Sequence, residues 1–241
     1  MKTYTEPMRA SREFEAVGEH LRRGETPVLV TGCTPVQKAQ FMYALGEPFQ
    51  YRLIIAEDDL KAKILFEDYR EFDPDTVYMP DKDLIFFSAG VQGNATLRER
   101  MGVFRRIAEA QESGSRLTVV TTIRTGLEKL QPLQEILASR LTVARDSEIP
   151  PTELAKRLTE MSYRRVEQVE MAGEFAVRGG ILDVFPVSQD NPYRIEFWGD
   201  DIDDIKVFDA ASQRSIEPVD GVTIYPAVEL VLSEEEREAG L

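Results

Sequence analysis

Short apolar runs alternate with stretches of helical spacing through residues 1–145. The apolar runs predict buried strands at positions 28–31, 51–56, 76–78 and 117–121. Apolar residues at intervals of three or four predict helices over 11–23, from 35 to about 45, from 58 or 59 onwards, and from 96 to about 111, with a loop over 80–96. This alternation is typical of a parallel sheet with helices on both faces.

The pattern changes after residue 145. Residues 148–152 predict a linker, and residues 151–161 predict one helix. Short β-rich segments follow, separated by glycine or Asp-Asn-Pro turns, at 163–169, 175–178, 181–185, 193–197 and 202–208. The sequence therefore predicts a first domain over 1–145, a small antiparallel β domain with one leading helix over 146–227, and the start of a further helix over 228–241.

The turn after the first predicted strand contains part of a phosphate-binding P-loop. The motif is G-x-x-x-x-G-K-[ST]. Gly32 and Lys38 have the required spacing, but Gln37 replaces the second glycine and Ala39 replaces the Ser or Thr. Glycine lets backbone N–H groups approach a phosphate and the hydroxyl binds Mg²⁺, so both changes oppose nucleotide binding. The alternative is an ordinary strand-to-helix turn with Lys38 in solvent.

These patterns together predict an α/β fold class. We expect a degenerate P-loop-type, helicase-like domain with a parallel sheet, followed by a small antiparallel α+β domain.

Acidic residues are concentrated in the second half of the chain. The 241 residues have a formal net charge of −14, and residues 146–241 contain nine Lys and Arg against 22 Asp and Glu. Such a surface repels nucleic-acid phosphates unless its basic residues are tightly clustered. The asymmetry also favours two domains with different roles.

Candidate catalytic and metal-binding groups are scarce. Cys33 and His20 are the only cysteine and the only histidine, so the chain has neither a zinc ligand set nor a Cys–His pair. The single cysteine favours a cytoplasmic location. Residues 200–204 are more typical of an exposed acidic turn, and residues 57–59 of a helix cap, than of a metal site. No apolar run approaches the length of a membrane span.

Charged residues alternate with apolar ones in the predicted strand 193–197. Arg194 and Glu196 therefore share one face of that strand, and Arg178 ends a neighbouring strand. Arginine is favoured at interfaces because its planar fork binds carboxylates. The residues leave two interpretations open: these arginines form an interface, or they neutralise the surrounding acid.

Several sequence blocks in the second half resemble a known family. Residues 163–169 (YRRVEQV), 173–186 (GEFAVRGGILDVFP) and 193–200 (YRIEFWGD), with 208–209, 212–215 and 224–227, are similar to the UvrB-homologous N-terminal region of bacterial transcription-repair coupling factors (Mfd). The resemblance is looser upstream, over 29–32 with 37–39, and over 119–122 with Leu127 and Leu130.

The resemblance implies a protein that recognises RNA polymerase stalled at DNA damage, releases it with ATP, and recruits the excision-repair protein UvrA. In that family the use of ATP and Mg²⁺ and the polymerase and DNA contacts lie in later domains. We therefore expect this chain to be a fragment with no catalysis, no cofactor and no membrane contact. The alternative is a UvrB-like excision-repair protein that binds nucleotide and DNA, which the degenerate loop disfavours.

The resemblance also implies a UvrA-binding set on the β domain: Arg164, Arg165, Arg178, Phe185, Arg194 and Glu196. Of these, Arg164 and Arg165 match one UvrB arginine less securely. A basic UvrB position falls on Ala176, so that contact is absent or replaced. Phe185 has a second explanation as a core residue, and we expect residues 146–227 to fold by themselves.

Overall fold

The computed structural model describes residues 2–82 and 91–229. The chain divides into two compact units, Met1–Asp81 with Glu109–Glu128, and Lys82–Ala108 with Lys129–Leu241. The predicted boundaries at residues 145 and 227 stay predictions, since neither compact unit is one continuous stretch of chain.

The first unit contains a parallel sheet with helices. Its strands are β1 Tyr51–Ala56, β2 Thr76–Met79 and β3 Leu117–Thr122, in the order β1-β3-β2. Its helices are α1 Lys2–Arg9, α2 Arg12–Arg22, α3 Pro35–Gly46, α4 Asp59–Arg70 and α6 Ile123–Gly126. The predicted parallel sheet is confirmed, whereas the helicase-like P-loop architecture stays a prediction.

Polar side chains cap two helices of the first unit. Ser11 Oγ accepts a hydrogen bond from Phe14 N at 3.2 Å, and Asp58 Oδ1 accepts one from Lys61 N at 2.8 Å. Each cap satisfies a backbone donor in the first turn of its helix. The cap at Asp58 supports the helix-start interpretation of residues 57–59.

Two strand predictions in the first unit are wrong in part or in full. Residues 28–31 form no strand, and Leu29 is 87% exposed. An apolar run needs a hydrogen-bonded neighbour to become a strand, and the described sheet offers this run none. Tyr51, Leu53 and Ile55 on β1 are exposed rather than buried, because β1 is an edge strand with one uncovered face.

The loop predicted over 80–96 is wrong for its last residues. Helix α5 spans Val91–Ser113 and so begins five residues earlier than predicted. Gly93 and Asn94 lie inside it, because a helix of 23 residues tolerates the roughly 1 kcal/mol that a glycine costs. Residues 83–90 of the predicted loop lie outside the described residues, as do residues 230–241 of the further helix predicted over 228–241.

The second unit is built on an antiparallel sheet of six strands. The sheet order is β10-β9-β8-β7-β6-β5, and only the β5–β6 pair is parallel. Its strands are β5 Arg164–Arg165, β6 Glu174–Arg178, β7 Ile181–Val184, β8 Tyr193–Trp198, β9 Asp201–Phe208 and β10 Ser215–Pro218. The predicted antiparallel domain is confirmed, although the strand expected over 163–169 is reduced to β5.

Other elements of the second unit lie on either side of this sheet in the sequence. Strand β4 Leu141–Ala144 pairs with β11 Gly221–Ile224. The helices are α7 Leu133–Ala138, α8 Pro151–Glu160 and residues 91–108 of α5. The leading helix predicted over 151–161 is thus confirmed as α8, whereas β4, β10, β11 and α7 were not predicted.

One face of the six-stranded sheet forms an apolar core. Leu182, Ile195 and Ile205 lie opposite one another on β7, β8 and β9 and are fully buried. Helix α8 contacts β6 and β7 and buries Leu154 and Leu158. Because side chains alternate along a strand, the residues between these apolar positions point to the opposite face.

Among the described residues, no helix has the length and apolar character needed to cross a membrane.

Candidate partner-binding face

Six charged residues lie on the face of the sheet opposite the apolar core. The register places Arg178, Ile181, Glu196 and Asp204 in one row across β6 to β9. The adjacent row contains Ala176, Asp183, Arg194 and Lys206. Residues two apart on a strand point the same way, so both rows share one face. We call this the charged face: Arg178, Asp183, Arg194, Glu196, Asp204 and Lys206.

Asp183 is the centre of the charged face. Its carboxylate is 1% exposed and accepts a hydrogen bond from Arg178 Nη2 at 2.7 Å. Arg194 binds the same carboxylate through Nε at 2.7 Å and Nη2 at 3.0 Å. Arg178 and Arg194 are on strands separated by β7 rather than on neighbouring strands, and Asp183 on β7 joins them. The sequence prediction missed Asp183, although a lone carboxylate inside the apolar strand ILDV was the available signal.

Arg194 is held in place more firmly than Arg178. Its guanidinium lies 4.7 Å from the ring centroid of Phe208, and its side chain is only 17% exposed. The hydrogen bond with Asp183 raises the pKa of Arg194 above its ordinary value. Arg178, in contrast, is 50% exposed. The two arginines therefore differ in role: Arg194 stabilises the face, and Arg178 presents donors to solvent.

Glu196 belongs to a second set of ion pairs. Lys206 Nζ lies 2.9 Å from Glu196 and 3.1 Å from Asp204, and Arg145 lies 3.1 Å from Asp204. The hydrogen bonds with Glu196 and Asp204 raise the pKa of Lys206, and the bond with Lys206 lowers the pKa of Asp204. Charges of opposite sign thus alternate across the face.

Arg164 and Arg165 point in opposite directions from β5. The register pairs Arg164 with Glu174 and Arg165 with Phe175, so Arg164 is on the side of the charged face. Arg164 forms an ion pair with the carboxylate of Glu174. Burial opposes ionisation of Glu174, but hydrogen bonds from Glu170 N, Met171 N and Arg164 lower its pKa overall.

Arg165 instead lines a groove on the side of helix α8. The groove also contains Thr152, Lys156 and Val177. Of the two arginines, Arg164 is therefore the one that lies with the other predicted contact residues.

Phe185 is in a second apolar cluster of the second unit, which includes Ala176 from the charged-face row. It is buried in a cluster with Val169, Ala176 and Phe208, and the guanidinium of Arg98 lies 5.5 Å from its ring centroid. This position fits the core explanation of Phe185. Ala176 is buried in the same cluster, so its small side chain has a packing role.

The P-loop-like turn satisfies its own backbone donors. Thr34 Oγ1 accepts a hydrogen bond from Gln37 N at 3.4 Å, and Gln37 Oε1 accepts one from Thr34 N at 3.0 Å. This reciprocal capping box uses donors that a P-loop directs at phosphate. Lys38 is exposed, and Ala39 is fully buried, so a residue that would bind Mg²⁺ in a P-loop is replaced by a core residue. Gly32 keeps a left-handed conformation with φ 85°.

Acidic residues form no metal site in the part of the chain that the structure describes. Within residues 2–82 and 91–229, no group of three or more His, Cys, Asp or Glu could hold a metal ion.

Part of the sequence of the second unit matches the model of a known domain family. Residues 141–230 match the family described as the UvrB interaction domain. The match covers α8, all six strands of the sheet and the β4–β11 pair. Residues 141–230 of the second unit are therefore similar to the UvrB interaction domain family.

The whole chain is similar to longer proteins of DNA repair. It is 28% identical over 95% of its length to the transcription-repair-coupling factor of Bacillus subtilis and covers 20% of that protein. The corresponding factor of Mycobacterium bovis is 38% identical over 75% of the chain, with 15% of that protein covered. UvrABC system protein B of Thermotoga petrophila is 28% identical over 92% of the chain, with 35% of that protein covered. The chain thus spans a fifth or less of these coupling factors, and the predicted resemblance to them and to UvrB is confirmed.

Proposed function

We propose that this chain is the part of a transcription-repair coupling factor that docks UvrA and so links stalled transcription to excision repair. The observation that carries the proposal is the placement of Arg178, Arg194 and Glu196 on one face of the sheet, in the region that matches the UvrB interaction domain family. RNA polymerase, DNA and ATP would be bound elsewhere in the full-length factor, and the protein would work in the cytoplasm.

The charged face supports docking through a small number of anchors. Arg178 uses one nitrogen for Asp183 and remains half exposed, so its other donors are available to a carboxylate of UvrA. Glu196 is partly exposed and can accept from a basic side chain of UvrA. Arg194 acts through Asp183, because it keeps the buried carboxylate paired and fixes the direction of Arg178.

A UvrB-like protein that binds nucleotide is the second candidate. Similarity to UvrB over 92% of the chain favours it. The capping box at Thr34 and Gln37 and the buried Ala39 oppose nucleotide binding, so we prefer the docking function without catalysis or cofactor.

Calorimetric titration of the chain with purified UvrA tests the docking function. We expect a saturable complex that Arg178→Ala weakens by more than about tenfold, because truncating a desolvated charge pair costs roughly 2–5 kcal/mol. Glu196→Gln should weaken it in the same direction. Arg214→Ala is the matched control, since Arg214 is exposed and lies off the two rows.

Urea unfolding of each variant separates binding from folding. Parent-like affinity in folded Arg178→Ala and Glu196→Gln chains would show that the charged face is not the docking surface. A parent chain that gives no complex with UvrA would refute the function itself.

A further inference from the structure

Among the described residues of the second unit, Trp198 is the most exposed large apolar side chain. It is the only tryptophan of the chain, and 82% of its surface is accessible. Among the described residues it makes no ring contact and no cation–π contact, so nothing in the described structure accounts for its position. An exposed indole leaves a large apolar area in contact with water. Such side chains are enriched at protein interfaces, and exposed apolar area of this kind marks interaction sites.

Trp198 lies at the end of β8 on the same side as the charged face. It follows Arg194 and Glu196 at intervals of two residues, and side chains at this interval point the same way. The register irregularity nearby is on β9, where Asp203 is the extra residue, so the alternation along β8 is not interrupted. The Cα atoms of Glu196 and Trp198 are therefore about 7 Å apart along the strand.

The turn beside Trp198 fixes the backbone at the end of β8. Trp198 pairs with Asp201 across the β8–β9 hairpin, and Gly199 adopts a left-handed φ of 68°. Glycine adopts the left-handed conformation without strain, and this conformation in a hairpin turn matches the twist of the two strands. On the other side, Phe197 N donates to Gly180 O at 2.8 Å, which ties the end of β8 to the turn that follows Arg178. The indole, Arg178 and Glu196 thus occupy one end of the same face.

The charges around Trp198 specify the chemistry of its partner. Asp200, Asp201 and Asp203 surround the hairpin and are exposed, and none of them forms an ion pair with a described residue. A basic surface complements them, and an apolar pocket complements the indole. Tryptophan and arginine close together near a charged rim are the composition of interface hot spots.

We propose that Trp198 is the apolar anchor of the docking surface and inserts into an apolar pocket of UvrA whose rim carries basic side chains. This inference rests on the proposed function, because it extends the UvrA surface from Arg178 and Glu196 along β8. In this proposal Trp198 makes the main apolar contact, and the acidic hairpin selects a partner surface of positive charge.

The single tryptophan allows a direct test on the full chain. Incorporation of 5-fluorotryptophan gives one ¹⁹F resonance, and unlabelled UvrA should shift or broaden it in a saturable way. In calorimetric titration, Trp198→Ala should weaken the complex by more than tenfold, and Trp198→Phe should restore part of the affinity. Ile216→Ala is the matched control, because Ile216 is 56% exposed on the edge strand β10 and should leave the affinity unchanged.

The possible outcomes distinguish the inference from the proposed function. If UvrA binds, Arg178→Ala weakens the complex, and the indole resonance and the Trp198→Ala affinity stay as in the parent, the anchor is wrong and the docking function stands. If UvrA does not bind the parent chain, both are wrong. A resonance that responds to the concentration of the chain itself would assign the indole to a contact between two copies and overturn the inference.

Discussion

Asp183 has more influence on the candidate site than its single position in the sequence suggests. It is a buried carboxylate, and two arginines from strands on either side bind it. A buried charge is tolerated when it is paired and hydrogen-bonded, and removal of one partner leaves the others without compensation. The position of the exposed Arg178 guanidinium therefore depends on Asp183, a residue that is itself buried.

We expect Asp183→Asn to destabilise the second unit, because Arg194 would then be largely buried without a counter-charge. Breaking a buried ion pair costs about 3–5 kcal/mol. Urea unfolding followed by circular dichroism measures the effect. Asp190→Asn is the control. Asp190 is fully exposed and its ion pair with Arg98 is long, at 3.9 Å, so this variant should unfold like the parent. An Asp183→Asn midpoint equal to that of the control would contradict the prediction.

At the scale of elements, the sequence predicted those strands whose β-rich segment is bounded by turn residues at both ends. Strands β6 to β9 are short β-rich segments bounded by turn residues, and left-handed Gly179 and Gly199 lie in the β6–β7 and β8–β9 turns, so the order and approximate bounds of these strands followed from the sequence. The alternation of charged and apolar residues along β8 also predicted that Arg194 and Glu196 share a face. What it could not supply was register, and only register places Asp183 opposite Arg194.

The failed elements depend on neighbours that are distant in the chain. Residues 28–31 have an apolar run typical of a strand but no partner in the described sheet. Strand β4 is short and becomes a strand by pairing with β11, about 80 residues later. This pairing also places residues 141–144 with the second unit, so a fragment beginning at residue 146 would lack one strand of a ladder.

The P-loop-like turn carries a prediction at this same scale. We expect the chain to bind no Mg-ATP, because the first turn of α3 directs its donors to Thr34 and Gln37 rather than to a ligand. The double variant Gln37→Gly and Ala39→Ser restores the motif letters, and it should also bind no ATP, since residues 28–31 do not form the strand that precedes a P-loop. Isothermal titration calorimetry should give no heat for either chain. A micromolar dissociation constant for the parent would contradict the prediction.

At the scale of the whole molecule, the net charge of −14 has a definite arrangement. The second unit places several of its basic residues in internal ion pairs: Arg164 with Glu174, Arg178 and Arg194 with Asp183, Arg145 with Asp204, and Lys206 with Glu196 and Asp204. Basic side chains that already face carboxylates contribute little field to attract phosphate. The sequence left two interpretations of the arginines open, an interface or neutralisation of the surrounding acid. The two are compatible, because Arg178 and Arg194 pair with Asp183 and still lie on one face of the sheet.

We expect this chain to hold no duplex DNA at physiological salt, because non-specific binding depends on unpaired basic residues that release counterions from the phosphates. Fluorescence anisotropy of a labelled duplex should show no saturable complex with the parent chain. The variant Glu196→Gln with Asp204→Asn removes the carboxylates that face Lys206 and Arg145, so it should bind more than the parent and should lose that binding as salt is raised. This variant also shows that the assay is sensitive enough to detect weak complexes. Salt-sensitive binding by the parent at low micromolar protein would mean that residues 1–145, which contain 20 Lys and Arg against 21 Asp and Glu, carry a clustered basic surface that this balance does not reveal. DNA would then have to be added to the partners of this part of the protein.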